Sequence, residues 1–305
     1  MRPTIIQLVD SVQYVETNCF QHQLLSALRR KAEVVQVPAD QLPRFRVPEG
    51  THHVLSCLKM RTLHRLKDQL RAALGNCQLV HYEQDPWHGY MDDSPWQGIF
   101  ADIKQRLNLS FVAVTTRWWA DYMEADGIPA RFVKMWMMPE YCDRGPAYLE
   151  RPIDLGFVGS LHPYRRKLFD LIEDSGYSIN TSGGYDYSGY LKALHGIKVY
   201  LHSEDCPIKV NGVFHNLNDG LWAREIEVAA RGCISIRNWG SESDSYLGSD
   251  IRTAFLYRDP QDVPGIIRSI EQMDPTERQK RIDDTLEYIR SADEWGRTAE
   301  VLIRG

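Results

Sequence analysis

Asp219 and Glu227 stand eight residues apart in NDGLWAREIEVAARG, residues 218–232, and their types and spacing suggest one kind of chemistry. Asn218, Asp219 and Gly220 read as a turn running into a helix. On that helix Ile226, Ala229, Ala230 and Cys233 fall at i, i+3, i+4 and i+7, a single buried stripe. The two alanines are small enough to bring its backbone close to a sheet. Arg224, Glu227 and Arg231 share a different face. One carboxylate before the helix and another two turns along flank an amide-rich N-terminus. That suits a polyhydroxylated anion such as a nucleotide-sugar: amides and helix dipole take a diphosphate, and carboxylates accept from sugar hydroxyls. A plainer account uses the same residues. Asp219 supports the turn or caps the helix, and Glu227 pairs with Arg231 at i+4 on the surface. Spacing alone leaves both open.

The elements around this stretch come from alternation. Apolar runs at 4–9, 33–37, 53–58, 78–83, 110–115 and 131–136 predict strands, with helical patterns between several of them. The pattern lapses over 139–152, which is rich in proline and charge as a linker would be. It restarts with a strand at 153–158 and further strands near 177–180, 198–203, 233–237 and 254–257. Helices are expected near 186–195, 222–231, 260–273 and 275–303. The prediction is an α/β chain of two doubly wound, Rossmann-like domains facing a cleft. Domain one spans 1–150 and domain two 151–285, and a C-terminal helix, 286–305, packs back on domain one. Ligands in such sheets bind beyond the carboxyl ends of the strands, which brings Gly159 to Arg166, Ser182 to Gly184 and Ser203 to Gly220 into view.

Composition excludes several classes. With 43% hydrophobic and 25% charged residues the chain has enough apolar content for substantial cores. A formal net charge of −5 gives no basic face for a dedicated nucleic-acid binder. No apolar run approaches a membrane span, and the N-terminus lacks a signal-peptide apolar region. Six scattered cysteines form no Cys-x-x-Cys, so reduced thiols and a cytoplasmic location are expected. There is no phosphate-loop motif, no G-x-G-x-x-G after the first strand, no H-E-x-x-H and no G-x-S-x-G.

FVGSLHPYRRKLFDLI at 157–172, REIEVAARG at 224–232 and YRDPQDVPGII at 257–267 follow the order found in GT-B glycosyltransferases. The chain most resembles the CgeB-like branch, whose C-terminal half carries an Arg-x-x-Glu-x-x-Ala-x-Gly signature. Arg224, Glu227, Ala230 and Gly232 match it. The chain is also similar to retaining families with a Glu-x7-Glu motif, Asp219 replacing the first glutamate. The resemblance covers most of 153–303; over 1–150 it rests on alternation and length.

That resemblance implies transfer of a sugar from a nucleotide-sugar to an unidentified acceptor, with retention of configuration and without metal or cofactor. Gly159 and Ser160 would approach the donor diphosphate, and Arg165 or Arg166 would supply charge there. Arg224 would belong to the donor site through the signature. Glu227 would accept the ribose hydroxyls and Asp219 those of the transferred sugar, with the amides of Gly220 and Leu221 beside the phosphate. Gly183 would lie near the base. An inverting enzyme would instead need a domain-one base, Asp85 or His81. These two belong to a constellation, His81, Tyr82, Glu83, Asp85, Trp87 and His88, suited to sugar stacking and proton transfer. Ordinary roles compete: HPYRRK as a helix start with solvated arginines, Gly159 and Gly183 as bare turns, and His81 as a packing residue. The acceptor would be a glycan, lipid, protein or small molecule, a nucleic acid being disfavoured by the acidic balance. Two rival activities remain, a nucleotide-sugar epimerase and a catalytically silent GT-B-like binding subunit.

Overall fold

A computed structural model describes residues 2–216, 224–240, 243, 247 and 249–305. The chain forms two compact units. The first comprises Met1–Met135, Ile208–His215 and Glu294–Gly305; the second comprises Trp136–Pro207 and Asn216–Asp293.

The first unit holds a parallel sheet of β1 (Thr4–Val9), β2 (Glu33–Pro38), β3 (His53–Ser56), β4 (Gln78–Glu83), β5 (Leu109–Val114) and β6 (Ala130–Phe132) in the order β2-β1-β3-β4-β5-β6. Its helices are α1 (Val12–Thr17), α2 (Cys19–Lys31), α3 (Met60–Leu74), α4 (Ile99–Arg106) and α5 (Arg117–Ala125). All four residues of β3 and five of the six in β4 are buried, which is why these strands read as continuous apolar runs. Helix α3 buries Leu63, Leu66, Leu70 and Leu74, one stripe at helical spacing. The strand order reverses between β1 and β3, so loops diverge at their carboxyl ends and leave a crevice there.

The second unit repeats the plan with β7 (Ile153–Val158), β8 (Asn180–Ser182), β9 (Ile197–His202), β12 (Ile234–Asn238) and β13 (Ala254–Tyr257), all parallel, in the order β13-β12-β9-β7-β8. Its helices are α6 (Pro163–Asp174), α7 (Tyr187–Leu194), α8 (Arg224–Ala230), α9 (Val263–Gln272) and α10 (Pro275–Ser291). Here the order reverses between β7 and β9. The predicted stripe of α8 is buried throughout: Ile226, Ala229, Ala230 and Cys233 are each at most 1% exposed.

Three features differ from expectation. The division between units falls after Met135 rather than at 150. Residues past it are tied to α10: Trp136 Nε1 donates to the Ile289 carbonyl at 3.0 Å, Arg290 to the Cys142 carbonyl at 3.0 Å, and the Arg278 guanidinium lies 4.3 Å from the Tyr148 ring centre. Composition marks this segment as a linker, but these anchors make it part of the second unit. The long final helix is also interrupted. Ala292 is extended, and α11 (Glu294–Arg304) starts afresh against α2, with Lys31 pairing to Glu300 at 2.7 Å and Thr298 donating to the Lys134 carbonyl at 2.8 Å.

The third is a hairpin within what reads as one loop: β10 (Pro207–Val210) and β11 (Val213–Asn216). Asn211 and Gly212 at its tip have φ of 50° and 78°, the paired positive values that a two-residue turn of this hand needs. In the first unit Val210 bridges antiparallel to Met91, and the Asp92 amide donates to the Lys209 carbonyl at 2.9 Å. No described helix is long and apolar enough to cross a membrane.

Candidate active site

Four of the residues singled out in the sequence converge in the second unit. Gly159 ends β7 with φ +147°, a conformation that side chains rarely adopt. A Cβ there would lie 3.1 Å from Arg224 Nη1 and 3.2 Å from the Phe157 ring. Gly183, beyond β8, sits so close that its own Cβ would lie 3.1 Å from the Gly159 carbonyl oxygen. Both glycines therefore leave room for a guanidinium and a turn, and Arg224 comes from the first residue of α8. One turn further on, Glu227 is only 3% exposed and accepts a hydrogen bond from the Tyr190 hydroxyl at 3.2 Å. The exposed pair with Arg231 is not what this face provides: Arg231 lies 3.3 Å from His195 and 3.5 Å from Asp143. Burial works against the Arg224 charge, yet Tyr200, Tyr190, Glu227 and Glu204 hold its pKa above the usual guanidinium value. The group is a fixed cation beside two exposed or half-exposed glycine turns, which is the chemistry of anion recognition. Asp219, Gly220 and Leu221 lie outside the described residues.

Arg165 has other partners. It is 6% exposed, its Nε donates to the Ser203 carbonyl at 3.1 Å, its Nη1 to the Ser160 carbonyl at 2.7 Å, and its Nη2 bonds Glu204. Its fork is committed inward, so instead of offering charge to a diphosphate it braces the exposed Ser160 turn. Arg166, expected as the alternative cation, lies on the outer face of α6 with Asp170 at 2.6 Å and Glu173 at 2.8 Å, the solvated helix role.

Glu204 opens a buried charge chain that sequence reading missed. His202 Nε2 lies 2.7 Å from Glu204 and its Nδ1 2.7 Å from Glu225, while Arg237 lies 3.0 Å from Glu225. An imidazole satisfies a carboxylate at each nitrogen only by donating from both. Burial raises the Glu204 pKa, but His202, Arg165 and Tyr164 outweigh it and bring the carboxyl down to about 2. Glu225 is lowered too, burial being overcome by Arg237 and His202. A depressed folded pKa gives stability that is present above the unfolded value and lost as pH falls. Acid titration should therefore weaken the fold between about 4.5 and about 2, and Glu204→Gln should flatten that stretch of the stability–pH curve, read by urea unfolding at stepped pH. A curve unchanged by the substitution would remove Glu204 from the acid response.

The first unit carries a cavity of about 300 Å³ at the carboxyl ends of β1, β3 and β4, its strand-order reversal. Glu83, Asp85, His88, Tyr14 and Trp96 are among its lining residues. Asp85 lines it. His81 does not: fully buried, it faces Ser56 Oγ at 3.2 Å and Glu83 Oε2 at 3.3 Å and reaches the cavity only through Glu83. A larger cavity in the second unit, about 800 Å³, is lined by Tyr164, Lys167, Asp205 and Tyr257 and takes none of the predicted donor residues among those described.

No protein-family model matches the chain, and no curated protein does. Solved structures do match. An α-glucosyltransferase in complex with UDP-glucose and DNA containing an abasic site aligns with TM-score 0.66 at 10% identity, over 99% of each chain. T4 phage β-glucosyltransferase aligns with TM-score 0.61 at 10% identity, over 98% of this chain and 99% of its own. The fold is GT-B. Sucrose-phosphate synthase from Thermosynechococcus elongatus, TM-score 0.60 at 13% identity over 99% and 98%, matches the same GT-B frame. At such identities likeness speaks for fold, and chemistry must come from side chains. In this GT-B chain the glycine turns with Arg224 and Glu227 occupy the second sheet's carboxyl end, while Glu83 and Asp85 occupy the first's.

Proposed function

We propose that the chain is a nucleotide-sugar-dependent glycosyltransferase, with the donor on the second unit. What carries the reading is the meeting of Gly159, Gly183, Arg224 and Glu227 beside the neighbouring carboxyl ends of β7 and β8 in a GT-B fold. A diphosphate would approach the two glycine turns, where no Cβ intervenes, and Arg224 would neutralise charge as the nucleoside diphosphate departs. Glu227, ionised, only accepts hydrogen bonds, which suits ribose hydroxyls. The Arg-x-x-Glu-x-x-Ala-x-Gly match supports a place in the CgeB-like branch, and the Glu-x7-Glu likeness supports retention of configuration. With Arg224 and amides meeting the phosphate charge, the reading needs no metal, so activity should survive EDTA. The matched α-glucosyltransferase structures include complexes with DNA. The net charge of −5 makes a nucleic-acid acceptor the less favoured class for this chain.

A thermal-shift panel of nucleoside diphosphates tests the class and names the base. One member is expected to stabilise the protein by about 2.7 kcal/mol at a hundredfold excess over its Kd. A panel in which none raises Tm would refute the donor site.

A further inference from the structure

We infer that the cavity of the second unit is a further ligand site, separate from the donor turns, and that it takes a neutral oligosaccharide of roughly two or three linked rings. It lies between α6, the loop after β9 and the loop after β13, and none of Gly159, Gly183, Arg224 and Glu227 lines it. Its volume, about 800 Å³, is towards the upper end of small-ligand sites, more than a single ring fills. The walls are chemically mixed. Tyr257, Leu171, Pro163, Pro207 and Pro260 present carbon, against which the C–H side of a sugar ring packs. Among the described lining residues Asp205, Asp259 and Lys167 carry the charge, and all are exposed. An anionic occupant would meet two carboxylates against one ammonium, and a cationic one would meet the lysine. Hydroxyls answer all three, donating to the carboxylates and accepting from the ammonium.

The polar groups are held in ways that leave capacity for such a ligand. Asp205 accepts from the Asn216 side chain, and Asp259 Oδ1 accepts the Gln261 amide at 2.9 Å. Each carboxylate is thus oriented at one oxygen and keeps lone pairs for hydroxyls. Among the described residues Lys167 makes no ion pair, whereas Arg166 beside it takes up Asp170 and Glu173 of the same helix. The wall is also shared with the buried charge chain. The Tyr164 hydroxyl donates to Glu204 at 3.0 Å, and Glu204 bonds Arg165. Arg165 donates in turn to the carbonyl of Ser203, itself in the wall, and to that of Ser160, next to Gly159. An occupant that holds Tyr164 and Ser203 therefore also holds the Ser160 turn, and a nucleoside diphosphate there binds more tightly. This coupling, unlike the site itself, rests on the donor reading.

The test is saturation-transfer NMR on the full chain with maltotriose, cellotriose, mannotriose and triacetylchitotriose, each beside its monosaccharide. The nucleoside diphosphate thermal shift is measured in parallel. At least one trisaccharide is expected to bind, about tenfold or more tighter than its monosaccharide, since one ring leaves most of the cavity's contacts unmade. Asp259→Ala and Lys167→Ala, at exposed positions that spare the fold, should each weaken it by about tenfold. Tyr164→Phe keeps the ring and drops the hydrogen bond, so trisaccharide binding should stay within about threefold of wild type. Bound trisaccharide should tighten nucleoside diphosphate binding about threefold in the wild type and leave it unchanged in Tyr164→Phe. No trisaccharide binding alongside an intact nucleotide shift overturns the site. Wild-type affinity in Asp259→Ala and Lys167→Ala overturns it equally, because the sugar then sits elsewhere. Equal nucleotide affinity with and without trisaccharide overturns the coupling. Trisaccharide binding that depends on Asp259 and Lys167, with no nucleotide shift at all, upholds the site and counts against the donor reading alone.

Discussion

Arg165→Ala is expected to lower folding stability by about 3–5 kcal/mol, seen as an earlier urea midpoint at unchanged slope. The guanidinium is buried and answers three acceptors, the Ser160 and Ser203 carbonyls and the Glu204 carboxylate. Removing it leaves Glu204 with His202 and Tyr164 but without its guanidinium partner, in a buried place. The damage should spread, because His202 joins Glu204 to Glu225 and thereby to Arg237. Arg165→Lys should recover only part of the loss, since one ammonium cannot reach three acceptors arranged for a planar fork. A loss below about 1 kcal/mol would mean the chain of charges is solvated in solution. Because Arg165 also fixes the Ser160 turn, any fall in turnover in this variant should travel with the fall in stability.

Much of this architecture was readable before the structure. β1, β4 and β7 fall where the apolar runs put them, because strands covered on both faces have no polar alternation to confuse the signal, and the half-buried edge strand β13 falls on its run as well. The packing of α8 was readable from its stripe: Ile226, Ala229 and Ala230 are buried at the spacing that predicts it. The β10–β11 hairpin has a local signature, Asn211-Gly212 between valines, but it sits in a stretch too polar and short to stand out from a loop. The charge chain had no such signature. Arg165, His202, Glu204, Glu225 and Arg237 are scattered over two strands, two helices and a loop, and meet only once β9 and β12 pair in register. Basic residues in HPYRRK look equivalent in one dimension. The helical turn sends Arg165 inward and Arg166 outward, and that difference of one residue separates a buried brace from a surface network.

Arg224→Ala should reduce turnover with a nucleotide-sugar by about a hundredfold, or abolish the nucleoside diphosphate thermal shift, with a smaller loss of stability than Arg165→Ala shows. The reasoning is spatial. Arg224 stands against the Gly159 turn, where a Cβ would lie 3.1 Å from its Nη1. Its neighbours Tyr190 and Tyr200 orient the guanidinium, and the carboxylates of Glu227 and Glu204 support its charge. Arg165 differs in that Glu204 is bonded directly to its fork, which is fully committed inward. Glu227→Gln should weaken the donor less, by about tenfold, because the amide keeps one acceptor for a ribose hydroxyl and loses only the charge. The order of the three variants matters more than any single value. If Arg224→Ala turns over at the wild-type rate while folded, the phosphate is held elsewhere, and Gly159 and Gly183 are turns that carry the chain and nothing more. If Arg165→Ala loses turnover while keeping its stability, the inward fork must open to reach the donor.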